Sequence, residues 1–285
     1  RGRKHIAGKT EEDLYKALGL RYIEPELREN AGEIEASRKG NLPRNLIGYD
    51  DLKGDLQIQT DWTDGANSIE EMALAAKNIG LEYICITDHT RALAMTGGAD
   101  EKKLARQGVE IDRLNRKLSG ITLLKGAEVN ILADGSLDIA DSALAKLDVV
   151  GAAVHSHFKM SKREQTRRII RAMENPNVDI LFHPTGRILN RRPPYEVDID
   201  EIIAAAKRTG TILEIDASPE RLDLKDEYIR KCVRAGVMMS IDSDAHAAHA
   251  YQFLRFGIGQ ARRGWVERKD IVNTKPLKEF LKAIQ

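Results

Sequence analysis

The chain has 285 residues, 42% apolar and 31% charged, with a formal net charge of +1. This is the composition of a soluble globular protein, and the balanced charge excludes attraction to nucleic acid through global charge alone. No run approaches the roughly 20 apolar residues that span a bilayer, no signal peptide is visible, and Cys85 and Cys232, both in apolar runs, point to small core residues in a reducing, cytoplasmic setting.

Residues 1–50 contain no strand-like run. Thr10, with Asp13 three residues on, predicts an N-cap for a short helix over 11–18 that Gly19 stops. Pro25, Pro43 and the charges Glu33, Glu35, Arg38 and Lys39 predict an extended arm with a second short helix, a connector without a core of its own. The start at Arg1 predicts a fragment of a longer chain. Basic clusters at Arg1-Gly2-Arg3-Lys4, Lys162-Arg163, Arg167-Arg168, Arg191-Arg192 and Arg262-Arg263 read singly as solvated faces and together suit a phosphate-rich partner.

From Asp51 short apolar runs alternate with helical patterns. Strands are predicted over 54–59, 83–88, 122–129, 148–154, 179–183, 211–216 and 237–242, each Val/Ile/Leu-rich, as for parallel strands covered on both sides. Ser68-Ile69-Glu70-Glu71 is a capping box opening a helix that Gly80 closes. Helices over 198–208 and 226–234 close at Gly210 and Gly236. The repeated helix, glycine, strand order argues for a β/α barrel or an open α/β sheet; both place their site at the strand C-termini.

In the first strand Leu56 and Ile58 alternate with Gln57 and Gln59, which puts the two amides on one face, ahead of the turn residues Asp64-Gly65. Histidines recur at later strand ends: His89, His155 with His157, His183, and His246 with His249. Carboxylates take equivalent places at Asp64, Asp88, Glu128, Asp216, Asp242 and Asp244. Imidazoles and carboxylates converging on one face suit a divalent metal cluster. The chain has no GxSxG elbow, no GxxxxGK[ST] loop and no nucleophilic Cys in a polar context.

At these residues the chain resembles a PHP (polymerase and histidinol phosphatase) domain: Gln57-Ile58-Gln59 at the His-x-His position, Thr63-Asp64-Gly65, Thr87-Asp88-His89, Glu128, His155, His183 and Asp244-Ala245-His246, in order over nearly all of 51–250. Lys4–Asp13, Glu174-Asn175-Pro176, His183-Pro184-Thr185-Gly186-Arg187 and Arg262-Arg263-Gly264-Trp265 resemble those of bacterial and archaeal X-family DNA polymerases. The resemblance implies an α/β fold, a distorted seven-stranded (β/α)7 TIM-like barrel over 51–285, with residues 1–50 as a connector from the polymerase portion of the same parent chain.

It also implies two to three divalent metals (Zn²⁺, Mn²⁺ or Mg²⁺). One position would be formed by Gln57 and Gln59 with Glu128 and Asp244, a second by bridging Glu128 with His155 and His183, and a third by Asp64, His89 and His246. Asp64, His89, Glu128, Asp244 and His246 would carry catalysis: phosphoester hydrolysis at DNA 3′ ends of the 3′–5′ exonuclease type, as in DNA repair, with no membrane partner. The two glutamines depart from the pattern. Amide oxygens suit Mn²⁺ or Mg²⁺ better than Zn²⁺, which fits either a retuned metal site or a retired catalyst. The alternatives are a non-catalytic module that braces the polymerase or positions DNA, and a small-molecule phosphatase of the histidinol phosphate type. Arg187 and Lys159 are candidate phosphate contacts. Trp62 suits base stacking or rim packing, Asp88 a histidine partner or turn cap, His249 a surface position or a contact behind the ligands, and His157 an exposed loop.

Overall fold

The computed structural model describes residues 6–284; the basic cluster at 1–4 and His5 lie outside them. Seven parallel strands pair in chain order: β1 Gly54–Asp55, β2 Tyr83–Ile86, β3 Thr122–Asn130, β4 Val149–Ala153, β5 Ile180–Leu181, β6 Ile212–Asp216 and β7 Met239–Asp242. The ring nearly closes because residues past β7 meet residues past β1. Gln59 N–H donates to the Ala245 carbonyl at 2.9 Å, and Ala245 N–H to that of Gln57 at 3.3 Å. This is a barrel and not an open sheet, with all seven predicted strands present.

The arm carries helices α1 Glu11–Ala17 and α2 Glu33–Lys39. The barrel carries α3 Ile69–Asn78, α4 Glu101–Lys117, α5 Asp141–Leu144, α6 Lys162–Met173, α7 Ile199–Thr209, α8 Asp226–Ala235, α9 Leu254–Arg263 and α10 Leu277–Ala283. The caps read from the sequence do their work. Thr10 accepts from Asp13 N–H, Ser68 and Glu71 cap each other, and Gly210 and Gly236 end α7 and α8 in the left-handed region that glycine adopts without strain. No described helix is long and apolar enough to cross a membrane.

Strand alternation sorts the core into two layers. Ile84, Ile86, Leu213, Ile215, Met239 and Ile241 face the surrounding helices. Tyr83, Cys85, Leu124, Val149, Phe182 and Ile212 fill the barrel, and Phe280 of α10 closes its floor by stacking on Tyr83 at 5.2 Å between ring centroids. Leu56 and Ile58 do not share a face as the alternation predicts: Leu56 joins the inner layer and Ile58 the outer. The regular ladder ends at Asp55. Beyond it Leu56 N–H donates to Asp242 Oδ1 at 2.9 Å and Ile58 N–H to Thr87 Oγ1 at 2.7 Å. Side chains satisfy those donors, so the strand period is broken there.

The arm forms a small cluster of its own, Ile23, Leu27 and Leu42, which closes on Trp265 of the barrel. Arg262 pairs with Glu24 and Glu26, and Arg263 with Glu29, which fastens the arm to α9.

Two predictions follow from the barrel interior. A Cβ on Gly151 would lie 1.8 Å from the Phe182 ring, so Gly151→Ala is expected to lower stability by about 1–3 kcal/mol in urea unfolding. Asp55 and Asp242 are both fully buried. Burial, reinforced by the charge of Asp242, pushes the Asp55 carboxyl up to about 8, and burial raises Asp242 as well. A raised carboxyl binds its proton more tightly folded than unfolded, so its contribution is full below about pH 4 and is lost as pH rises through about 8. The melting temperature of Asp55→Asn should therefore rise relative to the parent's between pH 5 and 9; a constant difference would contradict the assignment.

Candidate metal centre

Above its apolar floor the barrel turns polar, and the polar groups sit at or just past the strand C-termini. Glu128 of β3 is fully buried and central. Its Oε1 lies 2.8 Å from His183 Nε2 and 3.0 Å from His155 Nε2; its Oε2 lies 3.4 Å from His89 Nδ1. Beside it, Asp64 Oδ2 is 3.7 Å from His89 Nε2 and 3.6 Å from His246 Nε2. His89 stands between the groups and offers one ring nitrogen to each. Two sets of ligand atoms thus meet closely enough to hold an ion: Asp64, His89 and His246, and His89, Glu128 and His155.

The supporting contacts aim these rings. His155 Nδ1 lies 2.8 Å from Asn130 Oδ1. The Asn130 Nδ2 group donates to Asp138 and Thr90, so its oxygen faces the imidazole and accepts from Nδ1–H, and Nε2 is the atom turned to Glu128. His246 Nδ1 is 2.9 Å from the Asp244 carbonyl, which likewise leaves Nε2 facing Asp64. Asp88 does not orient a histidine. It accepts from Thr60 N–H at 2.8 Å, from the Thr60 and Thr63 hydroxyls and from Gln107 Nε2 at 2.6 Å, fixing the turn that presents Asp64.

Burial alone would raise the Glu128 carboxyl, but His89, His155 and His183 hold it well below the usual range. Burial, with the charge of Arg221, lowers His183. Burial would lower His246 too; Asp64 and Asp244 outweigh it and push the imidazole up to about 10. An ionised carboxylate beside a neutral imidazole is the form that binds a metal, so His246 must give up a proton to ligate, while buried His89 Nδ1, on the Glu128 side, has no hydrogen-bond partner. The Asp64/His89/His246 and His89/Glu128/His155 groups fit divalent cations.

The glutamine position differs. Gln59 Nε2 donates to Glu128 Oε2 at 2.5 Å, and both amide atoms of Gln57 are buried without a partner. Arg187 is held by backbone: Nε donates to the Arg221 carbonyl at 2.8 Å and an Nη to that of Leu222. Lys159 and His157 are exposed. Trp62 packs half-buried on the outer core. His249 is exposed and meets the Phe253 ring edge-on.

The residue that sequence reasoning passed over is Arg221, between β6 and α8. Its Nε lies 3.3 Å from Asp244 Oδ2 and 3.4 Å from Asp216 Oδ2. With Asp244 and His246 it lines a cavity of about 370 Å³ at the mouth. Larger clefts of about 630 and 590 Å³ border the arm at Asn45 and Asn41; they hold no imidazole, so size does not mark the site.

A fold of seven parallel strands with imidazoles and carboxylates gathered at their C-termini defines a metal-site β/α barrel. The family model described as PHP domain matches residues 55–218, more than half of the chain, and that described as DNA polymerase beta thumb matches residues 1–29. The chain belongs to the PHP domain family. It is 41% identical over 276 residues to the DNA polymerase/3′-5′ exonuclease PolX of Bacillus subtilis, covering 96% of this chain and 48% of that protein. The thumb match and this likeness tie it to X-family DNA polymerases. The chain spans about half of that relative's length. A probable phosphatase of Thermoanaerobacter sp. is 32% identical over 228 residues, covering 76% of this chain and 88% of its own length. Among solved structures, a histidinol phosphate phosphatase from Lactococcus lactis, complexed with zinc, L-histidinol and phosphate, superposes with a TM-score of 0.53 at 18% identity, covering 74% of this chain and 94% of that one. That likeness speaks for the fold.

Because the raised His246 is protonated at neutral pH, a metal bound there must displace a proton, and affinity should climb as pH rises toward about 10. Calorimetric Mn²⁺ titration at pH 7.5, in buffers of different ionisation enthalpy, should show the parent releasing about one proton more than His246→Asn. Equal release would remove His246 from the metal position.

Proposed function

We propose that this chain is a metal-dependent phosphoesterase that cleaves DNA from its 3′ end, as the PHP portion of an X-family DNA polymerase. The observation that carries the reading is a pair of joined clusters: His89, His155 and His183 around the buried carboxylate of Glu128, and His89 with His246 around Asp64. The polymerase context rests on the thumb match and on PolX, whose name includes 3′-5′ exonuclease. Residues 1–50 would serve as the connector to the polymerase portion.

Bound divalent cations, Mn²⁺ the best suited, would lower the pKa of a water and polarise the phosphoryl group. The protein supplies the rest. Glu128 and its imidazoles would hold one ion, and Asp64, His89 and His246 would hold the other. Asp64, exposed at the mouth, is placed to take a proton from the attacking water. Asn130 sets the ring of His155, and Asp88 sets the turn of Asp64. Gln57 and Gln59 leave the chain short of the nitrogen donors of the family pattern, so turnover should be weaker than with histidines there.

The test is degradation of a 5′-labelled single strand in Mn²⁺. Products should shorten stepwise from the 3′ end. Glu128→Gln should lose on the order of 100-fold or more in rate, and Asn130→Ala roughly 10- to 100-fold. No degradation by the parent with bound metal would leave the bracing role; hydrolysis of a small phosphomonoester without action on DNA would leave the phosphatase role.

A further inference from the structure

The cavity of about 370 Å³ at the mouth has a lining of two kinds. Asp244 and His246 bring it up to the metal centre. His249 and Phe253, from the segment after β7, with Ile188 and Pro219, from the loops after β5 and β6, give it an apolar and aromatic side. Binding a phosphate group and its metals makes no use of that side. A nucleobase does, because each base has an apolar π-face.

The aromatic side continues beyond the cavity. The His249 ring meets Phe253 edge-on with centroids 6.5 Å apart, and Phe253 lies 6.2 Å from Phe256 with 33° between the ring planes. Phe253 is half-buried and Phe256 is 44% exposed, so the row leads from the cavity out onto α9. Phe256 lies off the packed face of that helix, which is formed by Leu254, Gly257, Ile258 and Ala261. Core packing therefore does not account for a phenylalanine there. Arg255 stands beside it, with its guanidinium carbon 6.0 Å from the ring centroid. The other arginines of α9, Arg262 and Arg263, are tied to carboxylates of the arm. Arg255 is exposed and, among the described residues, pairs with no carboxylate.

We propose that Phe253 and Phe256 form a base-stacking track that feeds single-stranded DNA to the metal centre. With the scissile phosphodiester at the metals, the base on its 5′ side stacks on Phe253 in the cavity. The next base upstream stacks on Phe256, and Arg255 meets the backbone between them. Aromatic rings interleaved with a cation hold a single strand without regard to its sequence, as an enzyme that shortens a strand stepwise requires. A small phosphomonoester is too short to reach Phe256. The proposal rests on the exonuclease reading above for its substrate and adds the path along which that substrate lies.

The experiment is fluorescence anisotropy of a 5′-labelled thymidine oligonucleotide of about twelve residues, in Ca²⁺, with the strand confirmed intact afterwards. Phe253→Leu and Phe256→Leu keep an apolar side chain and remove the ring. Each should bind roughly tenfold more weakly than the parent, and Phe256→Trp at least as tightly. A merely structural role would not follow aromaticity in this way. Arg255→Ala should lose a few-fold and flatten the salt dependence. An abasic strand of the same length should bind the parent weakly and be indifferent to both leucine substitutions. Should Phe253→Leu not fold, the exposed Phe256 decides. No binding by the parent, unchanged affinity in Phe256→Leu, or an equal loss on the abasic strand overturns the proposal. Ring-dependent binding without 3′ cleavage in Mn²⁺ would remove the exonuclease reading and leave a barrel that positions DNA. Stepwise cleavage, with Phe256→Leu binding as the parent does, would keep the exonuclease and remove the track.

Discussion

The carboxylate of Glu128 is the contact on which the rest of the site depends. It is fully buried in β3, where an isolated charge would cost several kcal/mol. Three imidazoles and the Gln59 amide from four other segments converge on its two oxygens. Each of those segments ends a strand, so satisfying one carboxylate sets the mutual placement of the strand ends. The neighbouring Asp64/His89/His246 group is tied to the same point because His89 serves both.

Barrel architecture makes this arrangement possible by dividing its interior. The lower part is apolar and tightly filled, with Tyr83 over Gly54, Phe182 over Gly151, and Phe280 as floor. The upper part holds Glu128, Glu214, Asp216, Ser240 and Asp242. Burial raises the carboxyls of Glu214, Asp216 and Asp242. Glu128 is held ionised by its imidazoles instead. The same barrel wall therefore carries carboxyls pushed up by burial, which accept from Leu56, His183 and Ser218 N–H, and one carboxylate held down by imidazoles, which gathers ligands.

Much of this was legible in the chain itself. The seven strands, their glycine-closed helices and the histidines at strand ends follow from periodicity and capping, which act over a few residues. The phosphate contact was sought at Arg187, because it follows His183-Pro184-Thr185-Gly186. The structure engages that guanidinium with backbone and brings Arg221 to the carboxylates instead. Nothing local distinguishes Arg221 in Ser218-Pro219-Glu220-Arg221; only its place one turn beyond Asp216 at the end of β6 hints at it. The break in alternation over Leu56 and Ile58 was equally hidden, since its causes, Asp242 against Leu56 and Thr87 against Ile58, lie 186 and 29 residues from those partners.

The sequence by itself determined the order of elements, the apolar faces and the residue types available at each strand end, because helix caps and the two-residue strand period are local properties. Tertiary structure alone decided which donors meet which acceptors. Closure of the ring between β1 and β7 turns Gln59 toward Glu128 and fixes the turn after β6 so that Arg221 meets Asp244. Those pairings join residues far apart in the chain, and only the folded barrel supplies the distances that determine whether a carboxylate faces an imidazole, an amide or a guanidinium.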